Sequence, residues 1–177
     1  MTTFLKNRDM KFSFHLLLTC IALTACGESG KTTADYRIVP RPGEIAPGDG
    51  GDFELDARTR IVCTGDGDGM RANAEFLAGY VESVVGSAPE ITGPDGLCDD
   101  GRAVILRADA PGKGGEAYEI EVSENRITVS GESDAGVFYG IQTLRKAMGA
   151  AKAAKVLFPA VRIADEPYLG YRGVMLD

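Results

Sequence analysis

Residues 116–148 read EAYEIEVSENRITVSGESDAGVFYGIQTLRKAM, and the fold is best predicted by starting from this stretch. Apolar and polar side chains alternate through its first part: Tyr118, Glu119, Ile120, Glu121, Val122 and Ser123. A period of two is typical of a strand with one buried face and one solvated face. A second apolar run at residues 127–129 follows a short polar turn, so the two runs predict an antiparallel β-hairpin.

The segment after this hairpin changes to the period of an α-helix. Ser133 suits the N-cap position. Apolar residues then recur at helical spacing, at Val137, Ile141, Leu144 and Met148. Gly136 and Gly140 lie four residues apart, so one face of the helix is nearly bare backbone, and we expect it to lie very close to the sheet. Gly149 is a suitable end for the helix.

Weaker patterns predict the remaining elements. Strands are expected at residues 53–55, 59–62, 90–92, 103–106 and 158–163, and another helix from about Met70 to Gly86. Residues 38–42 contain two prolines and are predicted to be an extended edge strand or arm. A loop is expected at residues 43–51 and a linker at residues 150–155. This order predicts an α+β fold, with a single mixed β-sheet and two helices packed on one face.

Residues 1–25 have the pattern of a lipoprotein signal peptide. Three cations near the start, Lys6, Arg8 and Lys11, precede an apolar run that is too short to span a bilayer comfortably. The run ends in LTAC at residues 23–26, which is similar to the bacterial lipoprotein cleavage sequence and predicts that Cys26 is lipidated. The alternative is an ordinary secretory signal with a chance cysteine.

A lipid on Cys26 would anchor the protein to a membrane of the bacterial cell envelope, in the periplasm or at the cell surface. Residues 26–35 are small and polar, and they predict a flexible tether between lipid and domain. Without residues 1–25 the chain keeps 16 Lys and Arg against 25 Asp and Glu, a net charge of −9. This acidic balance argues against a nucleic-acid partner, which needs a basic patch.

Two cysteines, Cys63 and Cys98, belong to the predicted domain. An exported chain can keep a disulfide between them. Two unpaired thiols are an equal alternative, because the sequence does not give the distance between the two residues.

The residues available for chemistry exclude several kinds of site. The single histidine, His15, leaves with the signal peptide, so no imidazole remains for a nucleophile or for zinc. The GDGDGM sequence at residues 65–70 lacks the oxygen donors of a calcium loop. Glu119 and Glu121 alternate with apolar residues and are expected to be solvated. We therefore predict no metal, no cofactor and no catalytic residue in this chain.

Three segments resemble the N-terminal, non-catalytic domain of bacterial β-N-acetylhexosaminidases, glycoside hydrolase family 20. They are the hairpin and helix at residues 118–144, IVPRP at residues 38–42, and FPAVRIADEP at residues 158–167 followed by YRGVMLD at residues 171–177. The resemblance implies an auxiliary domain at residues 36–167. It also implies the start of a catalytic barrel at residues 168–177, where the chain looks truncated.

The resemblance further implies a parent enzyme that removes terminal β-linked N-acetylhexosamine from glycans. Its partners would be the catalytic barrel and the glycan. In the family, an arginine in a Tyr-Arg-Gly context binds hydroxyls of the terminal sugar, which assigns substrate binding to Arg172. The family's catalytic Asp–Glu pair has no match here, so the chain alone is expected to be inactive. A stand-alone lipoprotein that binds a glycan or a partner protein is the alternative.

Overall fold

The structure is a computed structural model that describes residues 30–65, 67–97, 101–109 and 115–168. Within these residues the chain forms two helices, α1 (Asp68–Val85) and α2 (Asp134–Met148), and a short 3-10 helix at Pro94–Gly96. The strands are β1 (Lys31–Thr33), β2 (Glu44–Pro47), β3 (Phe53–Leu55), β4 (Arg60–Cys63), β5 (Glu90–Thr92), β6 (Ala103–Arg107), β7 (Tyr118–Ser123), β8 (Arg126–Gly131), β9 (Lys155–Phe158) and β10 (Val161–Asp165). The α+β class predicted from the sequence is confirmed.

Seven strands form a mixed sheet in the order β2-β10-β7-β8-β6-β4-β5. The predicted hairpin is its centre: β7 and β8 are antiparallel, with Ile120 opposite Val129. β6 runs parallel to both β8 and β4, and its first four residues are buried, as expected for a central strand. On β7 the apolar residues are buried, and Glu119 and Glu121 are exposed, so the predicted alternation is confirmed.

The two helices bury their apolar stripes in one continuous core against this sheet. The Ser133 hydroxyl accepts a hydrogen bond from the Gly136 backbone N–H at 3.4 Å, which confirms the predicted N-cap of α2. A Cβ atom on Gly140 would lie 2.5 Å from Val129 Cγ1, far inside van der Waals contact. The bare face therefore lets α2 approach the sheet as closely as the sequence predicted.

Both helices end at the glycines predicted to close them, and each of these glycines has a positive φ. Gly86 has φ 85° after α1, and Gly149 has φ 69° after α2. Helix α1 begins at Asp68, which is two residues before the start predicted at Met70. No helix in the described part of the chain is long and apolar enough to cross a membrane.

The prediction of a single sheet is wrong, because β1, β9 and β3 form a second, three-stranded sheet. The predicted strand at residues 158–163 is divided at Pro159, which has no backbone N–H to continue a ladder. Its first part joins β9 and its second part forms β10. The linker predicted at residues 150–155 ends one residue early, since β9 begins at Lys155.

Two further predictions near the N-terminus are corrected. The tether expected at residues 26–35 is wrong for Lys31–Thr33, which pairs in parallel with β9 and so satisfies its backbone groups. The loop expected at residues 43–51 contains β2, the edge strand beside β10. Residues 38–42 form an arm rather than a strand, since Pro40 and Pro42 cannot donate to a ladder.

Candidate functional site

The end of β10 is held by a partly buried polar network that we call the exit end, formed by Asp165, Tyr118, Thr143 and Gly43. The Tyr118 hydroxyl lies 2.6 Å from Thr143 Oγ1 and donates to Asp165 Oδ2 at 3.3 Å. The other oxygen of Asp165 accepts from the Gly43 backbone N–H at 3.0 Å. Burial raises the pKa of Tyr118 to about 12, so its hydroxyl keeps its proton. The network therefore fixes the direction in which the chain leaves β10.

Beside the exit end, the two helices carry an aromatic surface that consists of Phe76, Phe138 and Tyr139. The rings of Phe76 and Phe138 pack with centroids 5.5 Å apart, and Phe138 meets Tyr139 at 6.1 Å. Phe76 is 40% exposed and Tyr139 is 38% exposed. The Tyr139 hydroxyl donates to Glu116 Oε1 at 3.4 Å, two residues before β7 begins. This contact places the aromatic surface next to the exit end.

Among the described residues, each carboxylate with a shifted pKa has a lowered pKa, so it is ionised at neutral pH. Hydrogen bonds from Lys155 and then Arg102, both at 2.8 Å, lower the pKa of Glu54 to about 2. Burial alone would raise the pKa of Asp56, but its bonds from the Arg58 backbone and guanidinium, together with the charge of Arg102, outweigh that effect and lower it. A glycosidase's general acid needs a raised pKa, so neither group suits that role.

An open cleft of about 660 Å³ is lined by Ala34, Asp35, Tyr36, Arg37, Ile38, Arg41 and Ile45. Asp35 is the one carboxylate in this lining. Side-chain and backbone hydrogen bonds from Arg37 lower the pKa of Asp35 to about 2. The one carboxyl group of the cleft is therefore ionised and paired with its neighbour, which does not suit a general acid for a leaving oxygen.

The site residues predicted from the sequence fall mostly outside the described residues. Cys26 and Arg172 lie outside them, and so does Cys98. Cys63 is buried, and burial raises the pKa of its thiol. The disulfide between Cys63 and Cys98 stays a prediction. Within the described residues, no group of three or more His, Cys, Asp or Glu side chains is arranged for a metal ion.

The aromatic surface was not predicted from the sequence, although the sequence carries a signal for it. Phe138 and Tyr139 fall between Val137 and Ile141 of the apolar stripe. At 100° per residue, these two rings therefore point away from the core that the stripe defines. Two neighbouring aromatic residues outside the buried stripe could therefore have predicted an aromatic surface on α2.

The fold and its exit end define a class: an α+β domain built around a hairpin and helix. A sequence model of the family described as "Glycosyl hydrolase family 20, domain 2" matches residues 35–166. The chain belongs to this family, and the resemblance inferred from three segments of its sequence is confirmed.

Several relatives and solved structures agree with this assignment. A β-N-acetylhexosaminidase of Cellulomonas fimi is 29% identical over 143 residues, covering 81% of this chain and 28% of the relative. A β-hexosaminidase of Porphyromonas gingivalis is 29% identical, covering 94% of this chain and 23% of the relative. The solved β-N-acetylhexosaminidase of Streptomyces coelicolor A3(2) shares the fold at 23% identity, with a TM-score of 0.65 over 77% of this chain and 28% of that one. The chain thus spans about a quarter of the length of these proteins.

Proposed function

We propose that this chain is the auxiliary domain of an exported, lipid-anchored β-N-acetylhexosaminidase, which removes terminal β-linked N-acetylhexosamine from glycans. The family match over residues 35–166 carries the proposal, and the names of the relatives supply the reaction. A catalytic barrel that follows β10 would perform the chemistry. The domain described here would hold that barrel in place.

The electrostatics of the domain support a role without catalysis. In this family the substrate's own acetamido group is the nucleophile, so the enzyme must supply a general acid that protonates the leaving oxygen. Such an acid keeps its proton near neutral pH because burial raises its pKa. Glu54 and Asp56 have lowered pKa values, and Glu119 is exposed in an ion pair with Arg162 at 3.5 Å.

The proposed contact with the barrel is the aromatic surface. Asp165 at the end of β10 pairs with Tyr118, and Glu116 in the same segment contacts Tyr139. The chain therefore leaves the domain beside this surface, and a barrel connected there can cover it without a long linker. The rings of the aromatic surface are partly exposed in this domain. Burying them against the barrel would supply the apolar contact that a domain interface needs.

Arg172 is the one residue to which we assign a direct contact with substrate. A guanidinium presents donors in a fixed fork, which suits two adjacent sugar hydroxyls. Its Tyr-Arg-Gly context is the support for this role. The rest of the sugar site would come from the barrel.

The proposed role of holding the barrel in place is tested by comparing one double variant in two versions of the protein. Phe76→Ser/Tyr139→Ser would be introduced into the 177-residue chain and into a version extended through the reading frame that follows codon 177. If the surface contacts the barrel, the pair lowers the melting temperature of the extended protein more than that of the shorter chain. Ile91→Ser/Leu97→Ser is the control, because these residues are exposed to a similar degree, 39% and 36%. Equal losses in both contexts would contradict the role.

A further inference from the structure

Only a few residues separate the proposed lipid anchor from the first strand of the domain. β1 begins at Lys31, five residues after Cys26. A chain spans at most about 3.6 Å per residue, so this link reaches no more than about 18 Å in any conformation. β1 is fixed by its parallel pairing with β9, and the Ala154 N–H donates to the Gly30 carbonyl at 3.1 Å. The end of the domain that carries β1 must therefore stay near the bilayer surface.

That end of the domain carries a lysine cluster, which we define as Lys31, Lys152 and Lys155. Lys31 and Lys155 are register partners in neighbouring strands. Lys152 is exposed two residues before Ala154, whose N–H bonds to Gly30. The nearby carboxylates of Glu54 and Asp56 are already bound: Glu54 by Lys155 and Arg102, and Asp56 by Arg58. In the described part of the chain, Lys31 and Lys152 form no ion pair, so these two cations are available at this end of the domain.

The lysine cluster lies at the C-terminal ends of both helices. The Ala153 N–H donates to the Val84 carbonyl in the last turn of α1, and the Asp35 N–H donates to the Ala147 carbonyl in the last turn of α2. The segments that carry the lysine cluster therefore meet the C-terminal ends of both helices.

The first turns of the helices meet each other at the other end of the domain. Asn73 Nδ2 donates to the Asp134 carbonyl at 2.8 Å, and a Cβ on Gly136 would overlap the Ala117 carbonyl just before β7. The 15 residues of α2 separate the two ends by about 22 Å at 1.5 Å per residue.

We propose that the lysine cluster docks on anionic phospholipid headgroups, so that the anchored domain stands with the first turns of both helices, and the rings of Phe138 and Tyr139 in the second turn of α2, directed away from the bilayer. The proposal rests on the lipid anchor of the proposed function. A lysine near an anionic surface improves partitioning about fivefold, since its interaction is about 1 kcal/mol. The barrel would then face outward, where a glycan can reach it.

Headgroup quenching tests the orientation directly. The lipidated protein, in a Cys98→Ser background, would carry one fluorophore at Ala151→Cys or at Ala72→Cys, both exposed positions. It would be reconstituted into vesicles of phosphatidylethanolamine and phosphatidylglycerol that contain a headgroup quencher. The proposal predicts strong quenching at position 151, beside the cluster, and little at position 72, in the first turns of α1. Equal quenching at both positions would overturn it.

Charge variants separate docking from the anchor itself. Lys31→Gln/Lys152→Gln should reduce quenching at position 151, while the matched control Arg71→Gln/Arg107→Gln removes two exposed cations at the other end of the domain and should leave it unchanged. Mass spectrometry of the N-terminus shows whether Cys26 carries lipid, which tests the proposed function by itself.

The docking can also be measured without the lipid. The unlipidated Cys26→Ser chain should sediment with phosphatidylglycerol vesicles, and loss of the two lysines should weaken this about 25-fold. Binding that does not change in the lysine variant, or that is equal on phosphatidylcholine vesicles, would overturn the docking whatever the state of Cys26.

Discussion

The Tyr118 hydroxyl lies 2.6 Å from Thr143 Oγ1 and joins the first residue of β7 to the middle of α2. The contact depends on Gly140, where a Cβ atom would lie 3.3 Å from Tyr118 Cδ2 and 2.5 Å from Val129 Cγ1. A glycine in the helix therefore creates the space in which the tyrosine ring reaches its partner. The same tyrosine holds Asp165, so the close packing of α2 also orients the end of β10.

Tyr118→Phe should lower the free energy of unfolding by about 1–2 kcal/mol. The ring is kept, but the buried Thr143 hydroxyl loses its hydrogen-bond partner. Urea unfolding at neutral pH measures the change. Tyr139→Phe is the control, since that hydroxyl is exposed and its removal should stay within about 0.5 kcal/mol of wild type. Equal losses of unfolding free energy in the two variants would show that the hydrogen bonds of the Tyr118 hydroxyl add no stability.

Gly136→Ala and Gly79→Ala should change stability in opposite directions, although both replace a helical glycine. A Cβ at Gly79 meets nothing within 4 Å, so the alanine should stabilise α1 by about 1 kcal/mol. A Cβ at Gly136 overlaps the Ala117 carbonyl, and displacing backbone should destabilise the protein by about 1–3 kcal/mol. Thermal unfolding of both variants checks the signs. Stabilisation by Gly136→Ala would mean that α2 does not lie this close to the sheet.

The elements that the sequence predicted best are those whose own pattern determines them. The hairpin and α2 have a clear change of period, a cap at Ser133 and an end at Gly149, and each was confirmed. The second sheet has no such local signal. β1 is a three-residue polar strand that forms because β9 offers it an open edge, and that edge exists because Pro159 interrupts the chain. Such pairing depends on contacts distant in sequence, which periodicity does not report.

The residues of the candidate site also fall into two groups, those that a sequence motif predicts and those that only the fold brings together. A motif identified Arg172 and Cys26 without any fold, and both lie outside the described residues. The exit end is different, because Asp165, Tyr118 and Gly43 are far apart in sequence and meet through strand pairing. The lysine cluster also needed the structure, since Lys31 is 124 residues from its register partner Lys155.

Glu54→Gln should remove part of the pH dependence of stability in acid. Lys155 and Arg102 lower the pKa of Glu54 from its ordinary value of 4.5 to about 2 in the folded protein. A lowered folded-state pKa gives stability that is present above pH 4.5 and is lost as the pH falls toward 2. Urea unfolding at pH 7, 4 and 2.5 should show the wild type's advantage over Glu54→Gln shrinking with pH. A constant difference would contradict the assignment.

Cys26→Ser should release the protein from membranes. When the precursor is expressed in a Gram-negative host, the wild type is expected in the membrane fraction, because the thiol of Cys26 receives the lipid. The variant keeps the apolar run that precedes residue 26 but has no thiol to modify. Fractionation followed by immunoblotting measures the distribution, and Cys63→Ser controls for loss of a thiol elsewhere. A wild type that is fully soluble in the periplasm would refute the anchor.

Hydrolysis of an aryl β-N-acetylglucosaminide tests the central claim most directly. The 177-residue chain and the version extended through the following reading frame would be assayed side by side. We predict no turnover by the shorter chain and clear turnover by the extended protein. In the latter, Arg172→Ala should lower kcat/KM about 10–100-fold through loss of charged hydrogen bonds, while the exposed control Arg162→Ala should not. Turnover by the shorter chain that disappears when one of its own carboxylates is replaced, as in Asp165→Asn, would contradict the account.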